Sequence, residues 1–290
     1  MQIFLAVMSG LLSVLIWGAH GSLSVLAIRE SWTSLDLTAV RFIGTLLIAV
    51  PWLIWTLREG RTVRWLHMLA ITAFAGAPFT LINIAGLQFA PVTHGAAISL
   101  GLVPVLIGLL SRPLLGQAVE ADHWIALSCI LAAVGIIWSD DGFALIYLLG
   151  DLCFFIGALL WALYAIAIRR WQVPPAEAVF YASLGSSPYL VWYFLARDLP
   201  AGSPDMLALQ LVYQGLMVGL LALFLYGHTV RVLGPQLDTL FTAMVPAGVP
   251  VIAGRVIDYQ TSTAEYIGLY LVIAGMLIAF YKPLRRHRSG

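Results

Sequence analysis

Charge is what this sequence has least of. Asp, Glu, Lys and Arg make up 10% of its 290 residues, against 61% hydrophobic. A soluble domain carries about 25%. With a mean hydropathy of +0.94, the chain cannot cover its surface with polar groups, so the lipid bilayer is its expected solvent. Net charge is +1 and no basic run lies outside the C-terminal segment, which argues against a nucleic-acid partner. Cysteine is nearly absent. Cys129 and Cys153 sit in apolar runs without CxxC or Cys/His spacing, so they read as small apolar filler rather than a metal site. No metal or cofactor motif is present, and none is expected. There is no HExxH, no GxD carboxylate motif and no GxSG elbow in a suitable context. Gly21-Ser22 and Gly185-Ser186-Ser187 offer hydroxyls beside several histidines, but an intramembrane enzyme is the weaker reading. Selectivity-filter sequence and ring-forming acidic patterns are missing too, which disfavours a channel. Alternating ten-residue segments, the mark of a membrane β-barrel, do not occur.

Long apolar runs are abundant. A bilayer core of ~30 Å needs about 20 apolar residues per helix. Such runs lie near residues 3–28, 34–57, 65–90, 93–116 and 122–139, and after Ser139-Asp140-Asp141 near 146–169, 176–196, 206–230, 234–256 and 263–281. The expectation is an all-α membrane protein of ten helices. The first run has no Lys or Arg before it and exceeds a signal-peptide core, so it reads as a retained helix. With the N-terminus on the cytoplasmic side, eleven Lys and Arg fall on that side and four on the other. That bias places both termini in the cytoplasm. Trp65, Trp124, Trp138 and Trp171 fall near run ends, as an interfacial aromatic belt would have them.

The chain also repeats itself. Ile16-Trp17-Gly18-Ala19 matches Leu160-Trp161-Ala162-Leu163, Leu102-Val103-Pro104 matches Met244-Val245-Pro246, and Ala133-Val134-Gly135-Ile136 matches Ile273-Ala274-Gly275-Met276, at offsets of 144, 142 and 140 residues. Residues 1–139 and 140–290 then form two five-helix repeats. An odd number of helices makes the second repeat enter the membrane in the opposite sense. This inverted plan is typical of secondary transporters, whose substrate site lies between the repeats. Pro104 and Pro246 stand mid-run in equivalent helices, flanked by Gly101, Gly248 and Pro250. Paired interruptions of this kind point to a binding site. Gly76-Pro78 and Gly185-Pro188 are expected to break their helices in the same way.

Several stretches look familiar: Trp17; Ala39-Val40-Arg41-Phe42; Ala90-Pro91-Val92-Thr93; Val103-Pro104-Val105; Gly150-Asp151-Leu152; Leu160-Trp161-Ala162-Leu163-Tyr164; and Glu265-Tyr266-Ile267-Gly268 leading to Gly275. On these the chain resembles the EamA-type carriers of the drug/metabolite transporter superfamily, over nearly its whole length. The pattern departs where the family commonly has Gly-Glu, with Gly116-Gln117 and Gly254-Arg255 instead. The resemblance implies a bacterial inner-membrane carrier with inverted five-helix repeats. It implies a central cavity lined chiefly by helices 1, 3, 4, 6, 8 and 9. Relatives export amino acids, nucleotides, sugars or drugs.

Polar side chains at bilayer depth are costly and usually face a cavity or a partner. His20 lies three residues from Trp17, and Tyr164 repeats that spacing from Trp161. Two such aromatic-plus-polar faces would hold a flat or amphipathic solute. Phe79 and Asn83 share a face of helix 3, and Tyr226 lies in helix 8. His94 and Gln236 are equivalent positions, each ten residues before a midplane proline, and read as gate residues. Trp17, His20, Phe79, Asn83, His94, Trp161, Tyr164, Tyr226 and Gln236 are therefore the candidate substrate-binding residues. Arg41, two turns into helix 2 and five residues after Asp36, is expected to snorkel to the outer interface or pair with a carboxylate. Asp151 suits the start of helix 6. Proton coupling needs a buried Asp, Glu or His. His20, His94, Asp151, Glu177, His228 and Asp238 are available, but none is clearly mid-span, which leaves coupled and uncoupled transport both open. A largely apolar, aromatic cavity with a few hydrogen-bonding groups fits amino acids or similar amphipathic metabolites. Efflux of drugs or of nucleosides and purines is the alternative.

Overall fold

The computed structural model describes residues 2–115, 121–140, 144–198, 200, 203–233 and 235–286. Gly116-Gln117 and Glu120 lie outside these, as does Asp141. The side chains of Gln236 and Asp238 are likewise outside the description. Every regular element among the described residues is helical. The first half holds α1 (Gln2–Arg29), α2 (Ser34–Arg58), α3 (Trp65–Ala75), α4 (Ala77–Gly86), α5 (Val92–Gly95), a π-helical stretch (Ala96–Leu100), α6 (Leu102–Leu115) and α7 (Ala121–Asp140). The second holds α8 (Leu145–Arg170), α9 (Pro175–Gly185), α10 (Ser187–Ala196), α11 (Pro204–Gln210), a second π-helical stretch (Leu211–Leu221), α12 (Ala222–Leu233), α13 (Pro235–Val256) and α14 (Thr263–Arg286).

Among the described residues, six stretches are long and apolar enough to cross a membrane: Gln2–Arg29, Ser34–Arg58, Trp65–Gly86, Val92–Ser111, Leu145–Arg170 and Pro204–Tyr226. Trp124–Asp140, Met244–Val256 and Thr263–Ile278 are shorter apolar helices. The run expected over 176–196 is divided at Ser186 into helices of 11 and 10 residues.

Caps mark where the chain turns back. At α2, Thr33 accepts from the Asp36 amide and Asp36 accepts from the Thr33 amide. Before α14, Ser262 and Glu265 do the same. Each reciprocal box satisfies two backbone donors that a helix start leaves open.

The surface is apolar and much of the polar inventory is inside. Leu195 is 84% exposed and Leu66 82%, while Ser22, Ser24, Thr38, Thr45, Thr80 and Thr93 are buried. That inversion suits a lipid solvent, where small and hydroxyl side chains let helices approach closely. One close backbone-to-backbone approach joins α2 to the second π stretch. A Cβ on Gly44 would lie 2.6 Å from the Cα of Gly215, so only glycine fits. A second crossing joins the break between α3 and α4 to the break between α9 and α10. There the Ser186 hydroxyl accepts from the Ala77 amide at 2.9 Å, and Thr72 donates to the Tyr181 carbonyl at 3.1 Å. The expected breaks at Gly76-Pro78 and Gly185-Pro188 thus exist, and they face each other. Helix 4 is interrupted just before Pro104 by the first π stretch. Around Pro246 and Pro250, by contrast, α13 runs on unbroken, so the expected matched interruption occurs on one side only.

The packing is reciprocal. α7 lies along α14, with Ala133, Ile137, Leu269, Val272 and Met276 in one cluster. α1 packs on α12 and α13; α8 packs on α4 and α6. α2 packs on the second π stretch; α9 packs on α3. Two of the tryptophans assigned to an aromatic belt are partly buried by neighbouring side chains. Trp138 donates to Asp151 and Trp171 stacks on His67, while Trp65 and Trp124 stay exposed. Buried hydrogen-bond partners outcompete the interface for the indole donor of Trp138.

Gly44→Ala is expected to wedge α2 away from Gly215 and cost about 1–3 kcal/mol. Gly135→Ala, where a Cβ meets nothing within 4 Å, is expected to be neutral or slightly stabilising. Thermal unfolding of both variants in detergent checks the contrast.

Candidate functional site

Among the aromatic contacts that bridge the first and second halves of the chain, two involve tryptophans at equivalent places in α1 and α8. Trp17 on α1 meets Tyr226 on α12 with ring centroids 5.4 Å apart. Trp161 on α8 meets Phe79 on α4 at 5.1 Å, and also Tyr164 one turn on at 5.0 Å. Tilted pairs of this kind attract through their quadrupoles without locking into one geometry. One turn along α4, Asn83 donates to Ser99 on the first π stretch at 2.7 Å. Its amide rests on Gly157 of α8, where a Cβ would come within 2.8 Å of the nitrogen.

A polar cluster lies beside the first pair. Arg41 does not snorkel outward. It is 8% exposed and points into the bundle. It donates to Gln214 Oε1 at 2.6 Å, to His20 Nε2, and to Thr80 Oγ1 at 3.4 Å. Gln214 in turn donates to Ser24 at 2.9 Å. The expected partner, Asp36, is engaged elsewhere. It accepts from the Tyr193 hydroxyl at 2.6 Å and from Thr33, with Arg197 3.8 Å away. The reason is direction. Asp36 caps the helix start and faces α10, whereas Arg41 sits on the face that meets α1, α4 and the second π stretch.

Buried ties close the end of the bundle where α1 finishes and α14 begins. Adjacent residues on α5 supply two of them. Thr93 donates to Glu265, which also accepts from the Tyr259 hydroxyl at 2.5 Å. His94 Nδ1 lies 2.8 Å from Asp151, whose other oxygen accepts from Trp138. His94, read from sequence as a gate residue, is 1% exposed and stacks edge-on with Tyr147. Arg29 adds a bond to the Ile257 carbonyl at 2.8 Å. The opposite end carries Arg61 and Arg64. Arg64 pairs with Glu177 at 3.2 Å, and its amide donates to the Tyr181 hydroxyl. A cavity of about 330 Å³ opens there among Trp52, Thr56, Arg61, Arg64, Glu177 and Tyr181. No group of three or more His, Cys, Asp or Glu able to hold a metal occurs among the described residues.

Of the residues singled out from sequence, Trp17 joins Tyr226, and Phe79 joins Trp161 and Tyr164. Asn83 meets α8, and His20 meets Arg41. His94 lies apart with Asp151 at the tied end. Arg41, Gln214, Ser99 and Asp151 carry contacts that sequence reasoning did not place. Gln214, within an apolar run, was visible as a buried amide; its partner 173 residues away was not.

The model of the EamA-like transporter family matches twice, over residues 4–139 and 148–281. The chain belongs to the EamA-like transporter family. It is similar to the uncharacterized transporter YetK of Bacillus subtilis (strain 168), 24% identical over 233 residues, 76% of this chain and 70% of that protein. It is also similar to the uncharacterized transporter YyaM of the same organism, 24% identical over 214 residues, 69% of this chain and 68% of that protein. A solved crystal structure covers 98% of this chain and 99% of its own with a TM-score of 0.65 at 21% identity, a likeness of fold alone. This EamA-like chain is therefore a multi-pass membrane transporter.

Asp151→Leu in this transporter would leave His94 and Trp138 without their acceptor. It is expected to cost about 1–3 kcal/mol, with Asp151→Asn milder. Urea unfolding of the purified variants in detergent measures the difference.

Proposed function

We propose that the chain is a secondary transporter of the bacterial inner membrane that exports amino acids or similar small amphipathic metabolites by alternating access. Its ten crossings would form two inverted repeats, residues 1–139 and 140–290, with both termini cytoplasmic. The observation that carries the reading is the matched placing of Trp17 and Trp161, each against an aromatic ring of the other half. Trp17 of the first half rests on Tyr226 of the second, and Trp161 of the second rests on Phe79 of the first. Trp17 and Trp161 are equivalent positions 144 residues apart, and their ring partners lie on the corresponding helices, about one turn out of exact register; contacts matched in this way suit a machine with two similar packings. The reciprocal helix packing, α1 on α12 and α13 against α8 on α4 and α6, supports the same symmetry. Ties at one end and a cavity at the arginine-bearing end suit a state closed toward the outside. Trp17, Phe79, Trp161, Tyr164 and Tyr226 would grip the apolar part of the solute, while His20 and Asn83 would take its polar part. His94 and Gln236 would serve the gates. The buried His94–Asp151 pair is the place where a proton could couple to closure.

Expression in a sensitive host challenged with toxic levels of each amino acid, purine analogues and cationic drugs tests this. Growth rescue confined to amino acids, reduced at least tenfold in effective concentration by Trp161→Ala, is the expected result. Rescue confined to purine analogues or drugs would instead support the alternative efflux reading. No rescue of any class, with the protein present in the membrane, would count against export.

A further inference from the structure

A guanidinium is permanently charged and is rarely buried without an anion. Arg41 is buried and holds only neutral partners, His20, Thr80 and Gln214, from α1, α4 and the second π stretch. No carboxylate lies within ion-pair distance of it among the described residues. Its Nε is buried with no partner at all. Nε and Nη2 form one edge of the guanidinium, the edge that grips a carboxylate with two parallel bonds. In this state His20 and Gln214 hold Nη2, and Nε stays open.

The charge is not needed to build the helix crossing. A shift of 142 residues, which relates Pro104 to Pro246, pairs Arg41 with Ser183, Gln214 with Thr72 and Gly44 with Ser186. These are residues of the other close crossing, between the breaks in helices 3 and 7. There Ser183 donates to its own helix at Val179, and Thr72 donates to the Tyr181 carbonyl. That crossing is just as intimate: a Cβ on Gly185 would fall on the Thr72 hydroxyl. Around Thr72 and Ser186 it is made with hydroxyls, the Arg64–Glu177 pair lying about two turns away at the half-exposed end. One of two equivalent crossings therefore carries a buried cation that packing does not require.

Its position points to the solute. His20, which covers Nη2, stands one helical turn from Trp17 and the aromatic contact with Tyr226. Gln214 sits within a π-helical stretch, a form that recurs at functional sites. We propose that Arg41 is the receptor for a carboxylate on the transported solute, which displaces His20 from Nη2 and engages the open Nε. This rests on the carrier reading for its cargo and narrows that cargo to organic anions and zwitterions with an apolar body.

The test is thermal unfolding of the purified full-length protein in detergent, with L-phenylalanine and phenylacetate as probes and phenylacetamide and phenethylamine as their carboxylate-free controls. The carboxylates are expected to raise the midpoint by ~2–4 °C when in tenfold excess over half-saturation, and the controls to leave it unchanged. Arg41→Gln, which keeps hydrogen bonding but removes the charge, is expected to lose that rise without a lower midpoint of its own. Arg41→Lys, which keeps the charge but not the two-pronged edge, should need at least tenfold more carboxylate. An equal rise with phenylacetamide, with inorganic phosphate or in Arg41→Gln overturns the proposal, as does a wild-type midpoint that no carboxylate moves. Saturable transport of an uncharged cargo by the same preparation would also overturn it, while leaving the carrier reading intact.

Discussion

Lipid offers no hydrogen bonds, so each polar group carried into the bilayer must find its partner inside the protein. Much of this structure follows from that constraint. It explains the leucine-rich exterior and the buried hydroxyls. It also explains why helices meet at glycine. The contact of Gly44 with Gly215 brings two backbones together and thereby sets Arg41 against Gln214. The contact of Gly76 with Ser186 brings two helix breaks together, and Ser186 supplies the hydrogen bond that the Ala77 amide would otherwise lack. At the second crossing packing and polar satisfaction are the same event; at the first, packing leaves Arg41 Nε without a partner.

The same constraint shapes how the two ends differ. At one end Thr93 and His94, neighbours on a four-residue helix, reach in different directions to Glu265 and Asp151. Both carboxylates are buried and both are shared with an aromatic donor, Tyr259 or Trp138. Moving the short helix away would break the Thr93–Glu265 and His94–Asp151 contacts together and leave each carboxylate fewer donors, so the two ties open in concert. At the other end Arg64 and Glu177 are half-exposed and face a cavity. Water can replace that pair at small cost. A bundle with one costly end and one cheap end favours a single closed side, and the energy of a bound solute is what could shift it.

The helices were legible because their apolar runs are long and their ends are marked by arginine and proline. The run read at 34–57 is helix Ser34–Arg58, and the run read at 146–169 is Leu145–Arg170. The breaks near Pro78 and Pro188 were legible because glycine and proline leave a local signal. What the sequence concealed depends on distant pairing or on direction. The π stretches occur in runs with no unusual composition. Asp36 is five residues from Arg41, and spacing alone suggested a partner. A helix start and an inward face pulled the two side chains apart. His94 and Asp151 lie 57 residues apart in chain order and meet only after three helices have packed. The family pattern carried fold and class and included Arg41, but not the inward direction in which helix 2 turns it.

The central claim is that the chain carries a solute by exchanging two packings of its halves. Purified protein in liposomes, loaded or not with unlabelled solute, and assayed for entry of the same labelled solute identified by the growth screen, addresses it most directly. Entry that saturates with concentration, prefers one enantiomer and accelerates when solute waits on the far side is the expected result, because a loaded carrier returns faster than an empty one. Entry that rises linearly with concentration, ignores handedness and is indifferent to the far side would contradict the account and describe a pore.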